Sequence, residues 1–315
     1  MSRAKRVQKK ESPYPIEHWS FSSLMSFLRN PLAWHKRYVE HVYDMPTGPA
    51  AVIGRAGHTA LEFFYSQVSE CCESAKARNF HSRVNTENNN CPKNILDRCY
   101  REVDKEQAKM VGLESLRAVS DFEINFGVTT SDRAKKAKRL AMEKEYLQAV
   151  SFYLKRAPRH QVLGVEVSSI AHVEGIPLPI KAISDLVVQS PVDQNALDIV
   201  DHKFVDSFSV EGPEKPLFIL QAIFNYYTVT EEYNMPVRRF IFQECKKRKN
   251  RDGKSQMRKH VIDFSEHAED FELFHRLLRD ATAEIGRERA YLPNPSDMFE
   301  GKNSFEIYRL DLLGE

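Results

Sequence analysis

Two apolar runs that each end in an aspartate are the feature of this 315-residue sequence that most limits its fold. The run 178–184 precedes Asp185, and the run 196–200 precedes Asp201, sixteen residues later. Two strands of about six residues, joined by a polar turn at 189–195, fit this spacing and bring the strand ends side by side. The sequence therefore predicts a β-hairpin that places two carboxylates next to each other.

Lys203 follows Asp201 by two residues, so both side chains share one face of the second strand. Carboxylates hold hard cations such as Mg²⁺, and a nearby ammonium group suits metal-assisted hydrolysis of a phosphodiester bond. The tripeptide by itself is more typical of an exposed salt bridge. Further residues elsewhere in the chain favour the catalytic interpretation.

His58 is the first of them. Gly54 and Gly57 permit a close backbone approach beside it, and apolar residues at helical spacing follow. A lone histidine on an amphipathic helix is usually structural, but the glycines favour a metal ligand. Glu62 is four residues further on, yet two ligands without a third make a poor zinc site.

Three further polar residues lie in otherwise apolar segments. Glu166 belongs to the β-rich run 161–167, where a carboxylate is unfavourable unless it is paired or bound to a cation. Gln221 and Tyr226 interrupt an apolar helix. They either position the substrate or the lysine, or form a satisfied polar pair in a packed helix.

The order of these residues resembles the RecB-like branch of the PD-(D/E)XK nuclease superfamily, which includes lambda-type exonucleases. The resemblance spans about residues 20–295. Two positions differ from the family pattern: Ala182 stands near a usual glycine, and Asn225 stands where a tyrosine more often follows the glutamine. The matching segments are 20–24, Gly54 to His58, Glu166, Asp185, Asp201 to Lys203, and Gln221 with Tyr226.

The resemblance implies an α/β fold of the restriction-endonuclease-like class, with a central mixed β-sheet flanked by helices and a helical insertion. We expect a disordered basic arm at 1–19 and a single nuclease domain at 20–315. Within the domain we expect the insertion at about 73–157, the catalytic core at about 158–235 and a basic β-hairpin at about 236–264.

Individual elements are predicted from periodicity, capping residues and turn signals. The predicted core strands are 161–173, 177–189 and 196–204. Helices are expected from Ser20 or Ser22 to about 43, through His58 to about 72, and at 93–111, 131–157, 216–232 and 265–289, with a short strand at 305–310.

The resemblance also implies a Mg²⁺ or Mn²⁺ cofactor. Lys203 would orient the nucleophile or stabilise the developing charge on the phosphate. Gln221 and Tyr226 would position the DNA or the lysine. The implied metal ligands are His58, Asp185, Asp201, the backbone carbonyl of His202 and, for a second ion, Glu166.

Some relatives hold an iron–sulfur cluster with one cysteine near the N-terminus and three near the C-terminus. The matching segments here, 29–32 and 292–299, contain no cysteine. Because such a cluster requires four thiolates, we predict none. The five cysteines lack paired spacing and are expected to be free thiols: Cys71, Cys72, Cys91, Cys99 and Cys245.

The net charge is only +2, so the distribution of charge carries the information. A basic run at 246–259 lies between two β-rich runs, with Asp252-Gly253 as a turn signal. A cationic hairpin tip could hold phosphates without reading bases. A second basic run at 133–139 is typical of a solvated helix face. The predicted nucleic-acid contacts are Lys246, Lys247, Arg248, Lys249 and Arg251.

The leading hypothesis is a metal-dependent DNA nuclease, an exonuclease or an endonuclease, acting in recombination, repair or phage DNA processing. The alternatives are a catalytically silent nucleic-acid-binding or assembly module of the same fold, and a hydrolase of small phosphorylated nucleotides. The resemblance implies a helicase or a single-strand annealing protein as partner, and a homo-oligomer remains open. No membrane-spanning or signal segment is found, so the expected location is the cytoplasm of a bacterial or phage-infected cell.

Overall fold

The computed structural model describes residues 13–42, 46–77, 93–128, 131–209, 216–250, 256–299 and 302–303. The strand expected at 305–310 and the turn expected at Asp252-Gly253 lie outside the described residues. Within the described part, no helix combines the length and the apolar character that a bilayer crossing requires.

In the part of the chain that the structure describes, six α-helices precede three consecutive strands, and a seventh helix separates these from the next two strands. The helices are α1 (Phe21–Arg29), α2 (Pro31–Tyr38), α3 (Pro49–Ala77), α4 (Lys93–Glu102), α5 (Lys105–Ala118), α6 (Asp132–Lys155), α7 (Pro216–Tyr233) and α8 (Ala268–Ile285). The strands are β1 (Val162–Ala171), β2 (Ile180–Gln189), β3 (Leu197–Val205), β4 (Val237–Lys246), β5 (Met257–Asp263), β6 (Met298–Phe299) and β7 (Lys302–Asn303).

Strands β1 to β5 form one mixed sheet in sequence order. Neighbouring strands are antiparallel except β3 and β4, which are parallel and are joined through α7. A parallel pair needs such a crossover because a tight turn can only reverse the chain. The five-stranded mixed sheet flanked by helices confirms the predicted fold class, and the three predicted core strands differ from β1 to β3 by at most three residues.

The sheet separates two hydrophobic cores, because successive side chains of a strand point to opposite faces. Leu186, Val188 and Val200 pack with α3, α4, α5 and α6. Val187 and Ile199 pack with α1, α2, α7 and α8. The helices of the expected insertion thus share a core with the sheet, which favours the prediction of a single domain.

Helix α3 approaches the sheet closely at one glycine. A Cβ on Gly57 would lie 2.3 Å from the ring of Phe204 on β3, so only glycine fits without displacing that ring. A Cβ on Gly54 would have no atom within 4 Å. The predicted close backbone approach is therefore wrong for Gly54.

The predicted boundary of the N-terminal arm at residue 19 is also wrong. Residues 1–12 lie outside the described part, but 13–19 belong to the fold. Trp19 is fully buried, stacks on Trp34 and forms a parallel bridge with Ile180 at the start of β2. The basic composition of residues 3–10 conceals the apolar Ile16 and Trp19 that anchor the following segment.

The single helix predicted from Ser20 or Ser22 to about residue 43 is instead two helices. Ser20 caps α1, as expected. Asn30 has an extended backbone, with φ of −154°, because the following Pro31 disfavours a helical conformation at the residue before it. The Asn30 side chain then accepts a hydrogen bond from the Ala33 amide and starts α2.

Other predicted helix ends shift for local reasons. Helix α4 ends at Glu102, and Asp104 starts α5 by accepting hydrogen bonds from the amides of Glu106 and Gln107. Helix α5 continues to Ala118, beyond the predicted helix end at residue 111. The helix predicted at 265–289 is shorter, because Phe264–Glu266 forms a 3₁₀ turn before α8. The helix that carries His58 is longer than predicted and ends at Ala77.

A polar clasp joins the N-terminal helices to the C-terminal segment. Asp297 accepts a hydrogen bond from the side-chain amide of Asn30 at 3.1 Å and forms an ion pair with Arg29. Asn294 donates from its side chain to the Arg29 carbonyl at 3.1 Å, and the Leu32 amide donates to the Leu292 carbonyl. The segments 29–32 and 292–297 are therefore held together by side chains as well as by the backbone.

Replacing Asp297 with alanine is expected to lower the free energy of unfolding by about 1–2 kcal/mol, because a charged acceptor of the buried Asn30 is lost. Urea denaturation measures the change. Asp280→Ala is the matched control, since its ion pair with Arg276 is exposed and should contribute less than about 0.5 kcal/mol. Equal effects of the two substitutions would contradict the clasp.

Candidate active site

The two aspartates lie at the point where β2 and β3 separate. The last pair of the β2–β3 ladder is Leu186 with Val200, so Asp185 and Asp201 are the next residues in register. The Asp185 carboxylate accepts a hydrogen bond from the backbone amide of His202 at 2.7 Å. This bond takes the place of a ladder bond and fixes the direction of the Asp185 side chain.

His58, Glu166 and Asp185 form the candidate metal centre. One ligand atom from each side chain lies within 4.8 Å of the others, and His58 Nδ1 is 3.4 Å from Asp185 Oδ2. Ligands about 2.1 Å from a common ion are roughly 3–4 Å apart, so these three residues fit one divalent cation after a small adjustment. Two carboxylates and one imidazole are donors that suit Mn²⁺ and, with retained waters, Mg²⁺.

Asp201 is not part of this group of three, because its side chain is held by neighbouring donors. Its Oδ1 accepts hydrogen bonds from Lys203 Nζ at 3.1 Å and from Gln221 Nε2 at 2.9 Å. Its Oδ2 lies 2.8 Å from Lys203 Nζ but is poorly aligned for a hydrogen bond, and no other donor of the described residues reaches it. A buried carboxylate oxygen without a hydrogen bond is suited to a cation.

Lys203 lies beside Asp201 at the edge of the site. Its side chain is one-third exposed, and its ammonium is 5.9 Å from the centre of the Phe242 ring. Burial lowers the pKa of Lys203, but the charge of Asp201 outweighs burial and raises it. The lysine is therefore a cation with donors left over for a ligand.

Burial or neighbouring charges raise the pKa values of three members of the site. Burial lowers the pKa of His58, but the contact with Asp185 outweighs burial and raises it to about 9. Burial and the nearby Asp185 charge raise the pKa of Glu166 to about 7. Burial raises the pKa of Asp201 to about 6, although the Lys203 charge opposes this. Burial raises the pKa values of the two acids and the Asp185 charge adds to it, and a bound cation would oppose both effects.

Glu166 has a left-handed backbone, with φ of 48°, in the middle of β1. The alternation of faces breaks there, since Val165 packs in the core beside α3 whereas Val167 packs in the core beside α7. A residue other than glycine rarely adopts such a φ, and strained residues cluster at functional sites. The strained backbone brings the Glu166 carboxylate to Asp185 on the neighbouring strand.

The side chain of His202 points away from the aspartates into the core beside α3. Its Nδ1 is hydrogen bonded to the Tyr153 hydroxyl at 3.0 Å, and its ring stacks on Tyr65. Burial lowers the pKa of His202 to about 3. Neither tyrosine could be predicted as a partner of His202, because nothing in the sequence spacing of residues 65, 153 and 202 links them. A metal-ligand role of the His202 carbonyl stays a prediction.

Gln221 of α7 reaches the site, but Tyr226 does not. Five residues correspond to 500° of helical rotation, which places the two side chains about 140° apart. Tyr226 instead packs between Phe264 and Phe271, with ring centres 4.9 and 5.0 Å away. The predicted positioning role of Tyr226 is therefore wrong for geometric reasons.

Asn225 occupies the face of α7 that Tyr226 was expected to occupy. Its side-chain amide donates to the Gln221 carbonyl at 2.9 Å, and its Oδ1 accepts a hydrogen bond from Ser184 at 2.8 Å. Ser184 precedes Asp185 on β2, so this bond connects the glutamine helix to the aspartate strand. The four-residue spacing from Gln221 is the signal that could have revealed Asn225.

The predicted nucleic-acid contacts on the basic hairpin have different environments. Lys247 is only 2% exposed and pairs with Asp206 at 3.0 Å, so its expected place on a projecting tip is wrong. Its partner Asp206, which directly follows β3, could not be predicted from the local charge run. Lys246 bonds to Asn250, Arg248 is exposed but pairs with Glu145, and Lys249 is exposed. Arg251 lies outside the described residues.

Comparison with solved structures identifies distant similarities. A candidate exonuclease from Eubacterium rectale shares 10% sequence identity, covers 90% of this chain and 85% of that chain, and has a TM-score of 0.45. Protein VC1899 from Vibrio cholerae also shares 10% identity, covers 76% of this chain and 55% of that chain, and has a TM-score of 0.20. Both TM-scores are below 0.5, so neither similarity supports a functional argument.

A sequence search of curated proteins gives no significant match. The profile of the PD-(D/E)XK nuclease superfamily, by contrast, matches residues 18–298, which include both aspartates, Lys203, His58 and Gln221. This match covers most of the sequence, and the chain therefore belongs to the PD-(D/E)XK nuclease superfamily.

Proposed function

We propose that this nuclease is a metal-dependent DNA exonuclease of the RecB-like branch, acting in recombination, repair or phage DNA processing. The observation that carries the proposal is the convergence of Asp185, Asp201 and Lys203 where β2 and β3 separate. Carboxylates from neighbouring strands and a lysine on the same strand as one of them are the groups required for phosphodiester hydrolysis.

In this proposal His58, Glu166 and Asp185 hold the divalent cation, with Asp201 Oδ2 directed to the same region. When bound, Mg²⁺ or Mn²⁺ would lower the pKa of a coordinated water and stabilise negative charge on the phosphate. These donors are hard oxygens and one imidazole, which agrees with either metal.

The protein's own residues have complementary roles in the proposal. Lys203 donates to the attacking water or to a phosphate oxygen, because its ammonium has donors beyond the one used by Asp201. Gln221 holds Asp201 Oδ1 and keeps that carboxylate turned towards Lys203. Asp185 is held by the His202 amide, a backbone donor that fixes the direction of its carboxylate.

Incubation with linear and covalently closed circular DNA, in Mg²⁺ or in EDTA, tests the proposal. Metal-dependent loss of linear DNA alone is the expected result. Cleavage of the circle would indicate an endonuclease, and hydrolysis of mononucleotides alone would favour the small-substrate alternative. Binding without cleavage in Mg²⁺, and also in Mn²⁺, would favour the catalytically silent module and contradict the proposed reaction.

The resemblance also leads to proposals about the partner, the oligomeric state and the location of the protein. They are a helicase or single-strand annealing protein as partner, a homo-oligomer and a cytoplasmic location. Each follows from the RecB-like resemblance and not from the geometry of the site.

A further inference from the structure

A cavity of about 370 Å³ lies between the first turns of α3 and the middle of α6. Ile53 forms part of its α3 wall. Lys138 and Glu145 line it from α6, while Lys247 and Arg248 line it from the end of β4. The cavity is distinct from the group formed by His58, Glu166 and Asp185.

Two basic runs that are far apart in the sequence meet at this cavity. Lys138 belongs to the run 133–139, which the sequence alone presents as a solvated helix face. Lys247 and Arg248 belong to the run that begins at Lys246. Their convergence is a property of the fold, since about a hundred residues separate the two runs.

The cations of the cavity are fixed by defined partners. Lys247 is nearly fully buried and pairs with Asp206 at 3.0 Å. Arg248 donates from Nε to Glu145 at 2.9 Å, and Lys138 donates to the Phe126 carbonyl. Three cations and two carboxylates leave one net positive charge, which matches the single negative charge of one phosphodiester. The ammonium of Lys138 and the guanidinium of Arg248 retain further donors for phosphate oxygens.

The walls of the cavity include residues of α3, which carries His58, and the residue that follows β3, which carries Lys203. Ile53 precedes His58 by five residues on α3, a rise of about 7.5 Å along the helix axis. Asp206 follows Lys203 by three residues at the end of β3, a span of about 10 Å. Since α3 and β3 lead from the candidate active site to the cavity, a nucleic-acid strand that is held at Lys203 and follows these elements would bring a neighbouring phosphate to the cavity.

We propose that this cavity binds one backbone phosphate of the substrate strand, near the scissile bond, through Lys138 and Arg248. The inference rests on the proposed nuclease function and names a binding site beyond it. Lys247 is a positioning residue, because its ammonium pairs with Asp206 in the cavity lining.

The salt dependence of DNA binding in EDTA tests the site without catalysis. Counterion release makes log K fall linearly with log salt, with a slope of about −0.9 per contacted phosphate in duplex DNA and about −0.7 in single strands. Lys138→Gln and Arg248→Gln, together, should make the slope shallower by about 0.7–0.9, because both contact the same phosphate. This readout detects polymer phosphates and not free phosphate.

Lys136→Gln is the matched control, since Lys136 is an exposed lysine two residues away on α6 and does not line the cavity. It should leave the slope unchanged, and Lys138→Arg should retain the wild-type slope. If the variant that carries both Lys138→Gln and Arg248→Gln matches Lys136→Gln while the wild type cleaves DNA, this inference alone is wrong. If the wild type neither binds nor cleaves DNA, the proposed function fails as well.

Discussion

Replacing Lys203 with methionine is expected to slow DNA cleavage by about 10²–10³-fold, the usual loss when one donor to a developing charge is removed. Methionine is one atom shorter than lysine and donates no hydrogen bond. Its unbranched chain fills most of the space of the lysine stem, so the fold should be preserved. Single-turnover cleavage at saturating Mg²⁺ measures the chemical step without product release.

Lys259→Met is the matched control for this substitution. Lys259 is an exposed lysine of β5 in the same sheet, so its loss changes the net charge equally and should leave cleavage near the wild-type rate. DNA binding in EDTA should be similar for the two variants. A Lys203→Met enzyme with near-normal single-turnover rates would exclude the proposed role of the ammonium group.

Replacing Gly57 with alanine is expected to destabilise the protein by about 1–3 kcal/mol, the usual effect of overpacking a filled interior. The new methyl group would lie 2.3 Å from a ring carbon of Phe204, so the ring or helix α3 must move. Phe204 adjoins Lys203, and His58 adjoins Gly57, so the same movement should also lower the cleavage rate.

Gly54→Ala provides a control of opposite sign on the same helix. A methyl group there has no neighbour within 4 Å, and alanine is favoured over glycine in a helix by up to about 1 kcal/mol. Thermal and urea unfolding should therefore rank Gly54→Ala above the wild type and Gly57→Ala below it. Equal stability of the two variants would show that α3 and β3 are not in close contact.

The sequence predicts the central part of this site because it depends on local rules. The spacing of Asp185 and Asp201 follows from strand length, and the shared face of Asp201 and Lys203 follows from the two-residue period of a strand. The register of β2 and β3 agrees with the first feature, and the hydrogen bond from Lys203 to Asp201 agrees with the second. These features require no knowledge of distant contacts.

Other features could not be predicted because they depend on partners far away in the sequence. Lys247 is buried only because Asp206 is available to pair with it, and Trp19 is buried only because Trp34 and β2 cover it. The convergence of Lys138 with Arg248 has the same origin. Tyr226 is a different case, since helical rotation was enough to exclude it.

Because Glu166 has a left-handed backbone, the residue that would be most stable at this position differs from the residue that the proposed reaction needs. Glycine at this position would remove a conformational penalty of about 1 kcal/mol and delete the carboxylate at the same time. Directed evolution that selects only for residual folding after heating would thus enrich substitutions that remove the proposed metal ligand Glu166. Thermostabilised libraries of this nuclease should keep codon 166 constant.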